Sequence, residues 1–190
     1  CSVYHSEQNK KLLELNYDLT AYLNPGLKLS WIAADNSPRE KPIAIDTTKF
    51  SAIRGVVHSE IPVLEIPKTI GGFHHALAIH KQIEQVSTKY LLILDSDFYV
   101  LRPDWIRDSV EYMWVNNLTF FGGTWHPKYY SKWRYFPTQH CMFIDLEKID
   151  KRELDFRPDP VKKAKPPISL FEKRLKQLPW VLQRIIFAAI

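Results

Sequence analysis

The stretch YLLILDSDFYV, residues 90–100, constrains this chain most. Leu91, Leu92, Ile93 and Leu94 form an uninterrupted aliphatic run flanked by polar residues. Such a run reads as a strand covered on both faces, the pattern of a parallel sheet packed between helices. It ends on two aspartates, Asp95 and Asp97. Strand side chains alternate, so period two predicts both carboxylates on one side. Two such neighbours repel unless a cation or a proton compensates. In open α/β sheets the ligand crevice lies beyond the carboxyl ends of the strands. The pair is therefore expected where a hard cation and an anionic ligand can meet.

Further elements follow from periodicity. Residues 7–23 carry Leu12, Leu15, Leu19 and Leu23 at helical spacing, and Asn24-Pro25-Gly26 stops that helix. LKLSWIAAD (27–35) reads as a strand ending on Asp35, and IPVLEIP (61–67) as a short strand between prolines. Residues 39–60 read as irregular. Gly71-Gly72 leads into a helix over 74–87 with Ala76, Ile79, Ile83 and Val86 on one face. A helix starts at Pro103-Asp104-Trp105 and runs to about Val115. LTFFGG (118–123) and CMFIDL (141–146) read as strands. Strands alternating with helices predict an α/β domain with a mainly parallel sheet.

The charge is uneven. Residues 161–190 carry seven Lys/Arg against one Glu, whereas the first 160 residues carry 19 basic and 20 acidic side chains. A near-neutral body argues against nucleic acid as a partner, because that needs a basic face. The boundary falls at Asp159: a domain over 1–158, then a Pro/Lys-rich, basic amphipathic segment over 159–190. Within it, 168–190 fits either a helix on an anionic membrane surface or one packed on the rest of the fold, and Pro179 interrupts it. No run of about 18 apolar residues is present, so no spanning helix is expected. Two cysteines, Cys1 and Cys141, make no disulfide framework and point to a reducing, cytoplasmic compartment, with peripheral membrane contact through 168–190 as an extension. A first residue other than Met and the stop after FAAI read as a fragment.

The order of a strand ending in ADNSP, then GGFHHALAIHKQIEQVSTKY, then LLILDSD and RPDWI resembles the nucleotide-sugar-binding half of GT-A fold glycosyltransferases. It is most similar to the inverting family 2 type, over about residues 1–150. The resemblance implies a GT-A-like (Rossmann-like) mainly parallel sheet flanked by helices. It implies transfer of a sugar from a nucleotide-diphosphate sugar to a glycan, lipid-linked or other acceptor hydroxyl, with inversion. Asp95, Ser96 and Asp97 match the D-x-D signature. Asp97 would hold a Mn²⁺ or Mg²⁺ ion, and Asp95 the ribose or the ion's water shell. A hard cation there stabilises the charge that develops on a diphosphate leaving group. Asp35 matches the position that reads the base or ribose, although Asp-Asn-Ser-Pro is equally an Asx turn. His74 and His75 open a helix whose free N–H groups suit a diphosphate, with His75 the stronger candidate.

Between the last two strands lies TWHPKYYSKWRYFPTQH. Its Trp125, His126 and His140 are candidates for acceptor binding, and a packed cover over the sheet is the competing reading. A zinc site from His126, His140 and Cys141 lacks a fourth ligand at a familiar spacing. Inversion needs a carboxylate to deprotonate the acceptor. Asp159 is the candidate, in KRELDFRPDP, with a base beyond residue 190 as the alternative. Other classes compete. A haloacid-dehalogenase-like phosphatase also places D-x-D after an apolar strand, but no glycine here is followed by Asp. A nucleotidyltransferase would carry a Gly-rich basic loop. A non-catalytic sugar-binding protein would bind sugar without metal.

Overall fold

The structure is a computed structural model that describes residues 1–38, 40–54, 73–124 and 136–156, all within one compact unit. The elements run in the order β1 (Ser2–Tyr4), α1 (Glu7–Leu23), β2 (Ile32–Asp35), β3 (Ser51–Arg54), α2 (Phe73–Glu84), β4 (Tyr90–Leu94), α3 (Trp105–Val115), β5 (Phe120–Gly122) and β6 (Cys141–Asp145). A 3₁₀ turn at Lys151–Glu153 follows. The fold is α/β.

β1, β2 and β3 form a parallel three-stranded sheet, with Ser2 opposite Ala33 and Ile32 opposite Ser51. β4, β6 and β5 form a second three-stranded set, in which β6 is antiparallel to both neighbours. Backbone bonds join the two. The Cys1 nitrogen donates to Leu92 O at 2.7 Å, and Leu94 N donates to Cys1 O at 3.0 Å. One residue bonding j−1 and j+1 of its neighbour is the parallel pattern. The strands therefore read β3-β2-β1-β4-β6-β5 across one sheet.

Strand alternation distributes the core. Tyr4, Ala33, Leu94, Cys141 and Phe143 share one face with Leu13 of α1 and with Trp105, Ile106 and Met113 of α3. Val3, Ala34, Leu91, Ile93, Met142 and Ile144 share the other with Ala78, Ile79 and Ile83 of α2. This is a three-layer α/β/α arrangement, and the buried run in 90–94 serves both faces, as its sequence implied.

Several expectations need correction. β2 starts at Ile32 rather than at Leu27, and Ser51–Arg54 forms a strand inside a stretch that reads as irregular. β6 runs antiparallel to β4 and β5, a direction left open by the expectation of a mainly parallel sheet. The buried face of α1 is Leu13, Asn16 and Thr20, while Leu15 is 57 % exposed. The helix spans 7–23 as its periodicity implies, but its buried face is turned by about one position from the leucine repeat, because that face carries Asn16 and Thr20. The strand expected at 61–67 and the segment 159–190 lie outside the described residues.

Capping fixes the ends of α1. Ser6 Oγ accepts from Asn9 N at 3.1 Å, and Glu7 sits in the first turn, where the helix dipole favours a negative charge. Asn24 closes it: its N–H and its side-chain amide both donate to Thr20 O, at 3.1 and 2.8 Å. Asn24 Oδ1 also accepts from Ile106 N, tying the end of α1 to the start of α3. Among the described residues no helix is long and apolar enough to cross a membrane.

Candidate functional site

The connection through α1 carries the chain from β1 to β2 along one face, and α2 brings it back along the other to β4. The strand order reverses between β1 and β4. That is the topological switch point, where the crevice of an open α/β sheet forms. Asp95 follows the last residue of β4 at this point.

The run does not continue as a strand through Asp97. Phe98 N donates to Asp95 O at 3.1 Å and closes a turn over residues 95–98. Ser96 is buried within it and Asp97 is exposed. The two carboxylates are thus placed by a turn, not by strand alternation, and they differ in environment. The Asp95 side chain is only 17 % exposed.

Asp95 is held from two sides. His140 Nδ1 is hydrogen-bonded to Asp95 Oδ2. An ionised carboxylate only accepts, so this nitrogen carries the proton. His75 Nε2, from the first turn of α2, stands 3.3 Å from Oδ1. The contact is close but poorly aligned: Oδ1 is buried and accepts no well-formed hydrogen bond among the described residues. Burial pushes the Asp95 carboxyl up, but the contacts with His75 and His140 outweigh it and hold it below its ordinary range. His140 reaches Asp95 because β6 is antiparallel. Leu94 pairs with Cys141, so the residue before β6 lies at the carboxyl end of β4, and Asp95 N donates to His140 O at 2.9 Å. The sequence assigned His140 to an acceptor; its observed partner is Asp95.

Two asparagines that the sequence reading passed over brace the site. Asn16 Nδ2 donates to Asp95 O at 3.2 Å and to Phe98 O at 3.0 Å. Tyr99 Oη adds a bond to Leu12 O at 3.1 Å. Asn36 N donates to Tyr4 O at 2.7 Å, and its side-chain amide donates to His74 O at 3.2 Å. It links the end of β1 to the start of α2. Asn36 Oδ1 and His74 Nε2 are buried and unpartnered among the described residues, as is Asp95 Oδ1. The one signal for Asn16 in the sequence is polar spacing: Asn16, Thr20 and Asn24 recur every four residues in a leucine-rich helix.

Asp35 is 4 % exposed. Its Oδ1 accepts from Ser37 N at 2.8 Å and its Oδ2 from Ile43 N at 3.2 Å. The carboxylate makes the Asx turn that its sequence allowed and shapes the loop after β2. Cys141 is buried, and burial raises its thiol to about 11, with the Asp95 charge adding to the rise and a Gly123 backbone bond opposing it. It is a neutral packing group. Trp125, His126 and Asp159 lie outside the described residues.

An apolar cleft of about 740 Å³ opens at the opposite edge, between the starts of β2 and β4, and none of Asp35, His75, Asp95 or Asp97 lines it. The chemistry and this cleft are on different ends of the strands. Among the described residues no group of three or more His, Cys, Asp or Glu converges as a metal cage. Comparison of the chain with family models, curated proteins and solved structures found no match.

Proposed function

We propose that this chain binds a nucleotide-diphosphate sugar with a divalent cation at the carboxyl edge of the sheet, and that it is a glycosyltransferase of the GT-A type. The observation that carries the reading is the Asp95–Phe98 turn at the switch point, with one carboxylate clamped by two histidines and the other exposed.

The donor set suits Mn²⁺ or Mg²⁺. Two carboxylates on one turn offer hard oxygen donors to an ion that keeps water and takes phosphate oxygens from its substrate. When bound, such an ion neutralises the charge that develops on a diphosphate leaving group. Asp97, exposed, is the direct ligand. Asp95, held by His140 at Oδ2 and flanked by His75 at Oδ1, supports the ribose or the water shell of the ion. Ser96 lies buried in the turn between them. His75 and the first turn of α2 face the same edge, where helix N–H groups favour a diphosphate. Asp35 acts through its loop, with Asn36, to shape the nucleoside side. Asp159 is the candidate for taking the acceptor proton, giving transfer with inversion to a glycan, lipid-linked or other hydroxyl.

The test is turnover. The chain is incubated with UDP- and GDP-sugars and Mn²⁺, with water and simple glycosides as acceptors, and release of nucleoside diphosphate is followed. The reading predicts metal-dependent release that Asp97→Ala abolishes. Release from no donor, or release that Asp97→Ala leaves unchanged, contradicts it.

A further inference from the structure

A second cleft, of about 790 Å³, lies between α3, β5 and the segment that leaves the Asp95–Phe98 turn. Its walls are aromatic. Phe98, Trp105, Phe121 and Phe143 line it, and Tyr112 stands against Phe121 with ring centroids 5.1 Å apart. Tyr112 is 52 % exposed. Trp105 is buried, and its indole N–H finds no acceptor among the described residues, so the wall also holds an unmet donor. The lining includes polar groups at one side: Asp108, ion-paired to Arg102 at 2.5 Å, and Asn116.

The chemistry of this lining narrows the ligand. The polar side favours a ligand with hydroxyls: the Arg102–Asp108 pair and Asn116 carry donors and acceptors beyond the bonds they already make, to each other and to Tyr112 O. A phosphorylated one would meet the carboxylates of Asp108 and Glu111, which also line the cleft. A neutral sugar ring matches both parts. Its C–H face packs on aromatic rings, and its adjacent hydroxyls bond to a carboxylate, a guanidinium and an amide.

We propose that this cleft binds a carbohydrate ring. Phe98 both lines it and closes the turn that carries Asp95 and Asp97. A sugar seated there lies beside that turn. That it is the acceptor of a transfer rests on the glycosyltransferase reading; sugar binding itself needs neither nucleotide nor metal.

The experiment titrates the whole chain, free of nucleotide, with methyl β-glucoside, methyl β-galactoside, methyl α-mannoside and cellotetraose. Amide shifts of Tyr112, Phe121, Gly122 and Gly123 are followed by NMR. At least one sugar should give saturable shifts at these residues. Tyr112→Ala, a change at a half-exposed side chain, should weaken binding about tenfold, as loss of one ring contact implies. Tyr112→Phe should retain it, and Asp108→Asn should weaken it. Trp114→Ala, at a side chain that is 71 % exposed and lines the other cleft, should leave it unchanged. Absence of saturable shifts with all four sugars overturns the proposal. So does binding that Tyr112→Ala and Asp108→Asn both leave intact, or a cleft that takes an apolar dye and no sugar. Sugar binding without any nucleotide binding would uphold the cleft and sink the transferase reading; the reverse would do the opposite.

Discussion

Asn16, in the middle of α1, holds the Asp95 and Phe98 carbonyls with a single side-chain amide, at 3.2 and 3.0 Å. The two residues it bonds are the first and last of the turn that presents the carboxylates. Helix α1 therefore sets the shape of the candidate site without lining it.

Asn16→Leu would place an apolar group against two part-buried carbonyls; Asp95 O keeps its bond from Phe98 N, but Phe98 O loses its amide donor. Each unmet buried polar group costs about 1–3 kcal/mol. The variant should unfold at lower denaturant concentration, and nucleotide binding should weaken because the turn loses its brace. Equilibrium unfolding and a nucleotide titration on the same sample check both.

His140→Ala removes the hydrogen bond that holds Asp95 Oδ2. In the folded chain the Asp95 carboxyl lies below its ordinary value of 3.8: burial opposes this, and the contacts with His75 and His140 prevail. A depressed carboxyl contributes stability that is full above its unfolded value and is lost as pH falls through the folded one. The parent should therefore be more stable than the variant at neutral pH, and the gap should close below about pH 4. Unfolding curves over that range provide the check.

Gly122 is required by a close approach. A Cβ there would lie 2.1 Å from Cys141 O, across the β5–β6 pair. Gly122→Ala must push the two strands apart, and overpacking of this kind costs about 1–3 kcal/mol. Thermal unfolding measures the loss, and it should exceed that of Gly26→Ala only if the clash outweighs the strain at Gly26, which has φ of +76° and open space around it.

Much of the fold was legible because apolar periodicity reports burial. The run at 90–94, the span of α1 and the inner face of α2 came through directly. Direction did not. CMFID is buried on both faces, and nothing in a hydrophobic run says which way its strand points. That single unknown moved His140 from a presumed acceptor loop to the side of Asp95. β3 was missed because SAIR is short, polar at both ends and carries no alternation. In the site, the aspartates were visible as an acidic end to an apolar run. Asn16 and Asn36 were not, because their work is to bond distant carbonyls, and those pairings exist only once α1, β1 and α2 have packed.

Calorimetric titration with UDP and GDP, each with and without Mn²⁺, tests most directly whether the Asp95–Asp97 turn seats a metal–nucleotide pair. The prediction is binding of one of the two in the presence of Mn²⁺, much weaker binding without it, and loss of the metal-dependent part in Asp97→Ala. Binding of neither nucleotide with Mn²⁺, or binding indifferent to both the metal and Asp97, would contradict the account.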